Sequence, residues 1–455
     1  MVRQRSAKPL FIGSNPIAAS KKIRIKQVLY LYLFYLNLPM TSRNPWTFVP
    51  TLYFFEGLPY VLINTVSVIL YKRMGVDNAS IAFWTSWLYL PWVIKMFWAP
   101  TVEMSATKRR WIVSMHMAMG LSLFVAAYSL TTASFFQLSL LAFVAAAFIS
   151  ATYDIAADGF YMLALTERDQ ALFVGLRSGF YRLAMIFGSG LLVYLAGRME
   201  SATGNVPLSW TLILTLAAAL FVIAFLYHRF VLPYPPTDRG GAGATETASF
   251  REVIGAYFRQ EGIAATVAFI LFYRLGEAML LKMVSPFLLD AKDAGGLGLT
   301  TSDVGLVYGT VGVIFLVSGG IIGGWLISRF GLRRCIWPLV LVMHLPDLFF
   351  VYMAYAQPSV GLVYPLVALE QFGYGMGFTA FTVYLMYTVD SRYKTSHYAI
   401  STGIMALGMM FPGMASGAIQ DALGYRVFFV VVCFMTIPGM LTIPFILKHA
   451  ENKAV

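Results

Sequence analysis

The sequence predicts an all-α integral membrane protein with 12 transmembrane helices in two six-helix halves. Of its 455 residues, 59% are hydrophobic and 12% are charged, whereas soluble proteins have about 45–50% apolar and about 25% charged residues. The mean hydropathy is +0.71, and apolar runs of about 20 residues, the length that spans a ~30 Å hydrocarbon layer, recur along the chain. These observations exclude the soluble, disordered and disulfide-rich secreted classes.

Twelve apolar runs carry this prediction. Each contains enough apolar residues for one membrane crossing, and hydrophilic segments separate them. The runs lie at 46–70, 79–102, 111–130, 134–165, 172–197, 208–228, 263–289, 303–327, 335–356, 360–388, 396–420 and 424–447.

The basic residues predict the orientation of these spans. The net charge is +12, which in a soluble protein would suggest nucleic-acid binding. If both termini face the cytoplasm, 23 Lys and Arg lie on the cytoplasmic side, five lie on the opposite side and five lie inside spans. This asymmetry follows the positive-inside rule. We therefore expect a multi-pass membrane protein with cytoplasmic termini, a lipid bilayer as its partner and no nucleic acid.

A hydrophilic segment at 233–262 divides the spans into halves at 46–232 and 263–455. Its first part is rich in Pro and Gly, which is typical of a linker. In its second part, Ser249 and Glu252 have the spacing of a capping box, and apolar residues recur at helical intervals. This pattern predicts a short amphipathic helix on the cytoplasmic membrane surface.

The basic segment at 1–45 has two interpretations. The apolar run at 28–38 is too short to cross a membrane, and no small-residue cleavage site follows it. Either Met40 is the true start of the protein, or the segment is a basic interfacial anchor.

Two loops carry related charge patterns. Gly324 and Arg329 precede Gly331 and the pair Arg333-Arg334 between spans eight and nine, and Glu103 precedes Lys108-Arg109-Arg110 at the same place in the first half. Both resemble the cytoplasmic loop signature of the major facilitator superfamily, which implies a gating role for Glu103, Arg109, Arg110, Gly324, Arg329, Gly331 and Arg333. Simple positive-inside anchoring explains the arginines equally well.

Ionisable residues inside spans mark cavities or internal ion pairs, because each costs about 2.5–3.5 kcal/mol on insertion scales. Asp154 and Asp158 share one face of span four and are proton-coupling candidates. Pairing with Arg177 or Arg182 of span five, as a structural ion pair, is an equal alternative. Arg177 and Tyr181 share a face and Arg182 points roughly opposite, so we expect one arginine in the cavity.

Span seven contains a second group of charges. Arg274 and Glu277 lie one turn apart, which predicts an intrahelical pair, and Lys282 has no evident partner. Arg274 and Lys282 are substrate-binding candidates, and Glu277 and Glu56 are further proton-coupling candidates. Extension of a lysine towards the membrane interface is the alternative to a cavity role, and it fits Lys95 of span two better than Lys282.

The sequence lacks several motifs that are typical of common enzyme classes. It has no phosphate-binding loop, no His-Glu-x-x-His metal site and no Gly-x-Ser-x-Gly nucleophile elbow. Its two cysteines, Cys335 and Cys433, form neither a disulfide framework nor a zinc site. We therefore expect no enzyme activity, no metal and no cofactor.

Several motifs resemble the muropeptide permease family and its acetyl-coenzyme A transporter relatives, within the same superfamily. Ala151-Thr152-Tyr153-Asp154-Ile155-Ala156-Ala157-Asp158 is similar to the family signature Ala-Thr-Gln-Asp-Ile-x-x-Asp. The resemblance extends from Thr47 to Lys448. Its other motifs are Gly57-Leu58-Pro59, Trp98-Ala99-Pro100, Tyr181-Arg182-Leu183, Tyr273-Arg274-Leu275-Gly276-Glu277, Pro286-Phe287-Leu288 and Tyr393-Lys394-Thr395-Ser396-His397. Tyr153 and His397 stand where the family has Gln, and Glu56 precedes Gly-Leu-Pro where the family has a small or neutral residue.

The resemblance implies proton-driven import of anhydro-muropeptides by a monomeric alternating-access transporter of a bacterial inner membrane. Such ligands carry carboxylates, which suits a cavity with several basic side chains. The resemblance adds Tyr153 and Tyr181 to the substrate-binding candidates. The alternatives are another organic anion, a sugar conjugate or an acyl-coenzyme A as substrate, or a pore or receptor without coupled turnover.

Overall fold

The structure is a computed structural model that describes residues 43–236, 238, 250–387 and 394–453. This part of the chain is helical and contains no β-strand. The segment before residue 43, with Met40 and the expected anchor, and Ser249 of the expected capping box lie outside the described residues.

The helices of the first half follow one another closely along the chain. Short linkers that contain Gly, Asn and Thr residues connect them. They are α1 (Val49–Val61), α2 (Ser67–Arg73), α3 (Asn78–Ser86), α4 (Leu90–Ile94), α5 (Ala99–Ser105), α6 (Lys108–Ser129), α7 (Phe135–Ala164), α8 (Glu167–Met185), α9 (Val193–Thr203) and α10 (Val206–Val231). Helix α11 (Phe250–Phe258) follows in the segment that separates the halves.

The second half repeats this organisation. Its helices are α12 (Ile263–Phe272), α13 (Leu275–Leu289), α14 (Thr301–Val304), α15 (Val313–Phe330), α16 (Leu332–His344), α17 (Asp347–Ala356), α18 (Val360–Tyr387), α19 (Lys394–Met435) and α20 (Ile437–Lys453). Wider π-helical turns at Leu62–Val66, Ile186–Leu192 and Gly305–Gly312 connect helices that continue in one direction.

Nine helical stretches of the described residues are long and apolar enough to cross a membrane. The last stretch, His397–Leu447, contains both the eleventh and the twelfth predicted span, and Gly424 bends it with a φ of 70°. The second predicted span is divided by 3-10 turns at Trp87–Tyr89 and Lys95–Phe97. The predicted all-α membrane fold is confirmed, and the number of 12 spans stays a prediction.

The two halves approach to backbone contact at the π-helical turns. A Cβ atom at Gly309 would clash with the backbone carbonyl of Ser189, and one at Gly417 would clash with the carbonyl of Asn78. Glycine at these positions removes the side chain that would hold the two backbones apart. The turns Ile186–Leu192 and Gly305–Gly312 therefore form a tight seam between the halves.

Polar side chains close one end of the molecule across the same seam. Lys72 Nζ lies 2.5 Å from Asp290 Oδ1. The Asn78 amide donates to Gln420 (2.6 Å) and to the Tyr425 hydroxyl (3.0 Å), and Tyr425 donates to Asp290 (2.6 Å). We call this group, Lys72, Asn78, Asp290, Gln420 and Tyr425, the closing network. It joins the end of α2 and the start of α3 to the end of α13 and to the bend of α19 near Gly424.

A second contact lies beside the closing network. Glu200 of α9 accepts hydrogen bonds from Arg73 (3.0 Å) and Trp210 (2.7 Å) of its own half, and from Thr301 (2.7 Å) of the other half. The Asp77 carboxylate caps α3 nearby, and the Ser80 N–H that it accepts holds the pKa of Asp77 below its ordinary value. This end of the molecule is therefore held by bonds between the two halves.

Candidate functional site

A cavity with about 1480 Å³ of empty space, including its open mouth, lies between the halves. The first half contributes Tyr60, Tyr89 and Trp92, and the second half contributes Tyr308 and Tyr374. Polar lining comes from Asn64, Ser189, Ser285, Gln371 and Thr402, and positive charge comes from Lys95, Arg274 and Lys282. The cavity thus combines aromatic rings with three cations.

Lys282 lies on α13 and is 5% exposed. Its ammonium donates to the Thr85 hydroxyl (2.9 Å) and sits 5.4 Å from the centre of the Tyr89 ring. Both partners belong to the first half. The sequence left this lysine without an evident partner, because the contact joins helices that are almost 200 residues apart.

Arg274 lies between α12 and α13, where the backbone leaves the helical conformation (φ −107°, ψ 16°). Its guanidinium donates to the Tyr374 hydroxyl and lies 4.8 Å from the centre of the Phe378 ring. Neither oxygen of Glu277 has a hydrogen-bond partner. The predicted pair of Arg274 and Glu277 is therefore wrong, since the helix break turns Arg274 towards the cavity.

The first half has its own charge cluster, which lies on α7, on α8 and on the 3-10 turn Lys95–Phe97 after α4. Asp158 accepts from Arg177 (3.0 Å) and from the Tyr53 hydroxyl (3.1 Å). Asp154 accepts from Lys95. The Asp158 carboxylate is thus paired with Arg177, one of its two predicted partners, and the proton-coupling role of Asp154 and Asp158 stays a prediction. Lys95 pairs with Asp154 and does not extend to the membrane interface.

Glu56 lies on α1 in the same region. Its Oε2 atom is buried without a hydrogen-bond partner, and it is within electrostatic range of Asp154 and Asp158. A buried, unpartnered carboxylate beside two others is the kind of group that exchanges a proton readily. Three of the predicted proton-coupling residues therefore lie together, and Glu277 lies apart from them.

The remaining substrate-binding candidates do not line this cavity. Tyr153 is 3% exposed and donates its hydroxyl to the Leu52 carbonyl (2.8 Å), so it attaches α7 to α1. Tyr181 is half-buried with its ring 6.3 Å from that of Tyr60, and Arg182 beside it is half-buried. Arg177 is held by Asp158.

Three residues of the first predicted gating loop lie near the start of α6. Arg109 donates to the carbonyls of Arg229 and Leu232 and stacks 3.8 Å over Tyr234, all within its own half. Arg110 is exposed, and Glu103 lies on α5. These Arg109 contacts bind α6 to the end of α10.

The second predicted gating loop lies between α15 and α16. Gly331, with a φ of 80°, ends α15 and permits the sharp turn. Arg329 and Arg333 are exposed on either side of it, and Gly324 packs against Thr379 of α18. The predicted gating role of these residues stays a prediction.

Three further ionisable residues meet Glu277 inside the second half. They are His344, Asp347 and Glu370, at the end of α16, the start of α17 and the middle of α18. The spacing of His344 and Asp347 is visible in the sequence. Their approach to Glu277 and Glu370 depends on how four separate helices pack, so no sequence pattern indicated it.

The chain is similar in sequence to known membrane proteins. Residues 51–411 match the model of the Major Facilitator Superfamily. A Rickettsia conorii protein that carries the name AmpG 4 is 23% identical over 412 residues, which cover 88% of this chain and 94% of that protein. The anhydromuropeptide permease of Escherichia coli (strain K12) is 22% identical over 393 residues, covering 85% of this chain and 77% of that protein. These names agree with the resemblance found in the motifs.

Solved structures share the fold. A D-xylose-proton symporter has a TM-score of 0.68 at 11% identity and covers 87% of this chain and 96% of its own. The nucleoside transporter NupG has a TM-score of 0.65 at 16% identity and covers 87% of this chain and 98% of its own. At these identities the similarity concerns the arrangement of the helices.

Proposed function

We propose that this chain, which belongs to the Major Facilitator Superfamily, imports sugar-peptide anions of the anhydro-muropeptide class by alternating access. The chain is a multi-pass membrane transporter and not an enzyme, as its family, its relatives and the solved structures of its fold indicate. The substrate, the driving ion and the direction are the proposed part.

The observation that carries the proposal is the composition of the cavity. Arg274, Lys282 and Lys95 face the same space as five aromatic rings. A carboxylate that leaves water needs a positive partner at short range, and aromatic faces suit the apolar faces of sugar rings. An anionic sugar-peptide matches both requirements, and a neutral sugar or an apolar compound matches one at most.

The closing network and the charge asymmetry together support an assignment of the side of the membrane on which the cavity is closed. The closing network lies at the end that carries Lys72, Arg198, Lys292 and Arg426, which belong to the side with few basic residues. By the positive-inside rule that side is periplasmic. We therefore assign the structure to a state that is closed to the periplasm.

We assign proton coupling to Asp154, Asp158 and Glu56. Their cluster lies at the first-half wall of the site, and Lys95 contacts both the cavity and Asp154. Protonation of Asp154 would release Lys95, which could then bind an anionic substrate. Proton entry and substrate binding would thus share one lysine.

Uptake by the purified full chain in proteoliposomes tests the proposal. With an inside-alkaline pH gradient, labelled anhydro-muropeptide should accumulate above the external concentration, and a protonophore should abolish the accumulation. Uptake that ignores the gradient overturns proton coupling. Preference for an acyl-coenzyme A or another organic anion over the muropeptide overturns the substrate assignment.

A further inference from the structure

Three carboxylates converge in the second half behind the cavity wall. One ligand oxygen from each of Glu277, Asp347 and Glu370 lies within 4.8 Å of the others. These residues are 0%, 1% and 1% exposed. They come from α13, α17 and α18, so the packing of separate helices forms the cluster.

Most polar atoms of this cluster have no hydrogen-bond partner. Both oxygens of Glu277 and both oxygens of Asp347 are buried and unpartnered. The same holds for Nδ1 of His344, which is 5% exposed and lies 3.4 Å from Asp347 Oδ2. Because leaving one buried polar group unpaired costs about 1–3 kcal/mol, five such atoms in three neighbouring residues indicate a missing partner.

The charge of the three carboxylates also indicates that a partner is missing. Three ionised carboxylates carry three negative charges, and the nearest cation along the chain, Arg274, donates to Tyr374. Even if the charge of Arg274 is counted, the net charge of minus two in an apolar interior is strongly unfavourable. A proton neutralises one carboxylate and makes one hydrogen bond, whereas a divalent cation balances two charges and contacts one oxygen of each of the three carboxylates at once.

We propose that Glu277, Asp347 and Glu370 bind a divalent cation of the manganese or zinc type, with the imidazole of His344, 3.4 Å from Asp347 Oδ2, beside them. The mixed set of carboxylate oxygens and one imidazole nitrogen suits these ions, whereas calcium prefers oxygen ligands alone and magnesium retains water. Oxygens within 4.8 Å of one another can surround a centre at about 2.8 Å or less, close to the ~2.0–2.2 Å of zinc–carboxylate bonds.

The bound cation would stabilise the wall of the cavity. Gln371 lines the cavity and donates to both oxygens of Glu370 (3.0 and 3.3 Å). A cation that holds Glu370 also holds Gln371 in its position. This role differs from substrate import and from proton coupling, and it removes Glu277 from the proton-coupling residues.

Metal binding to the purified full chain tests the site without any transport measurement. After treatment with a chelator, the wild-type chain should bind about one equivalent of Mn²⁺ or Zn²⁺ and unfold at a higher temperature with the ion. Asp347→Asn should weaken binding by more than about a hundredfold, since loss of outer-shell partners alone costs about 10- to 100-fold. His344→Gln should weaken zinc binding more than manganese binding.

Two controls separate metal binding from folding and from surface adsorption. Without metal, Asp347→Asn should be at least as stable as the wild type, because it removes an unpaired buried charge. Glu261→Gln, which changes an exposed carboxylate, should bind the ion like the wild type. The proposal is overturned if neither ion binds saturably, if Asp347→Asn retains the affinity, or if Na⁺ alone stabilises the chain.

Discussion

The ammonium of Lys282 donates a hydrogen bond of 2.9 Å to Thr85, and this bond joins the second helical half to the first inside the cavity. Arg274 lies on the same lining surface and donates to Tyr374 of its own half. The two cations therefore differ in what a substrate carboxylate would displace. A ligand that binds Lys282 weakens a contact between the halves, which gives substrate binding a route to the alternating motion.

We predict that Lys282→Gln weakens uptake of an anionic muropeptide about ten- to a hundredfold and affects the neutral disaccharide much less. The reason is that one charge-assisted contact contributes about 1.5–3 kcal/mol. Arg274→Gln should behave in the same way without loss of folded protein, because Arg274 does not pair with Glu277. Uptake per folded transporter measures both effects. Lys292→Gln, at an exposed lysine outside the cavity, is the matched control, and equal losses for both ligands would contradict charge recognition.

We predict that Lys72→Gln opens the closed end. The Lys72–Asp290 pair is largely buried, with side chains 15% and 18% exposed, so its loss should favour the opposite state by about 1.5–3 kcal/mol. Spin labels at the exposed residues Ser201 and Asp293 should then show longer distances. The exchange Lys72→Asp with Asp290→Lys should restore the short distance. Unchanged distances in Lys72→Gln would show that the pair does not hold this end.

Substitution of Gly309 by a larger residue should sterically prevent the two halves from closing against each other. Its missing side chain lets the backbone approach the Ser189 carbonyl. Gly309→Val should therefore separate the halves and reduce transport at least tenfold, because a packed core cannot absorb the three added carbon atoms without displacement. Gly361→Ala is the control, since a Cβ there meets nothing within 4 Å. Normal transport by Gly309→Val would refute the role of this seam.

We predict that Asp154→Asn abolishes proton-driven accumulation while the protein still reaches the membrane. The substitution removes the carboxylate that holds Lys95 and leaves a group that cannot exchange a proton. Downhill exchange of labelled for unlabelled substrate should persist. If Asp154→Asn and Asp158→Asn both accumulate substrate normally, coupling would have to be reassigned to Glu56.

Reporter fusions test the orientation. The count of 23 basic residues against five predicts cytoplasmic signals for fusions at Pro236 and Thr395 and a periplasmic signal at Gly296. A periplasmic signal at Pro236 would exclude the 12-span arrangement and would also reverse the assignment of the closed end.

The charged residues within the spans show how far sequence reasoning reaches. It found Asp154, Asp158, Arg177 and Lys282 as unusual, because a charge in an apolar run is visible without a structure. It assigned a wrong partner to Arg274 and did not find the Asp154 partner of Lys95. Pairing depends on rotamers, on helix breaks and on which helices are neighbours, and local spacing reports none of these.

By itself, the sequence determined the membrane-embedded helical fold and the family, because hydrophobic run length and ordered motifs are properties of the chain alone. Only the tertiary structure decided which charges meet. The approach of Lys72 to Asp290 and of Glu277 to Asp347 and Glu370 joins helices that are distant in sequence. The energy of a buried charge depends on its neighbours in space, and packing of the helices supplies those neighbours.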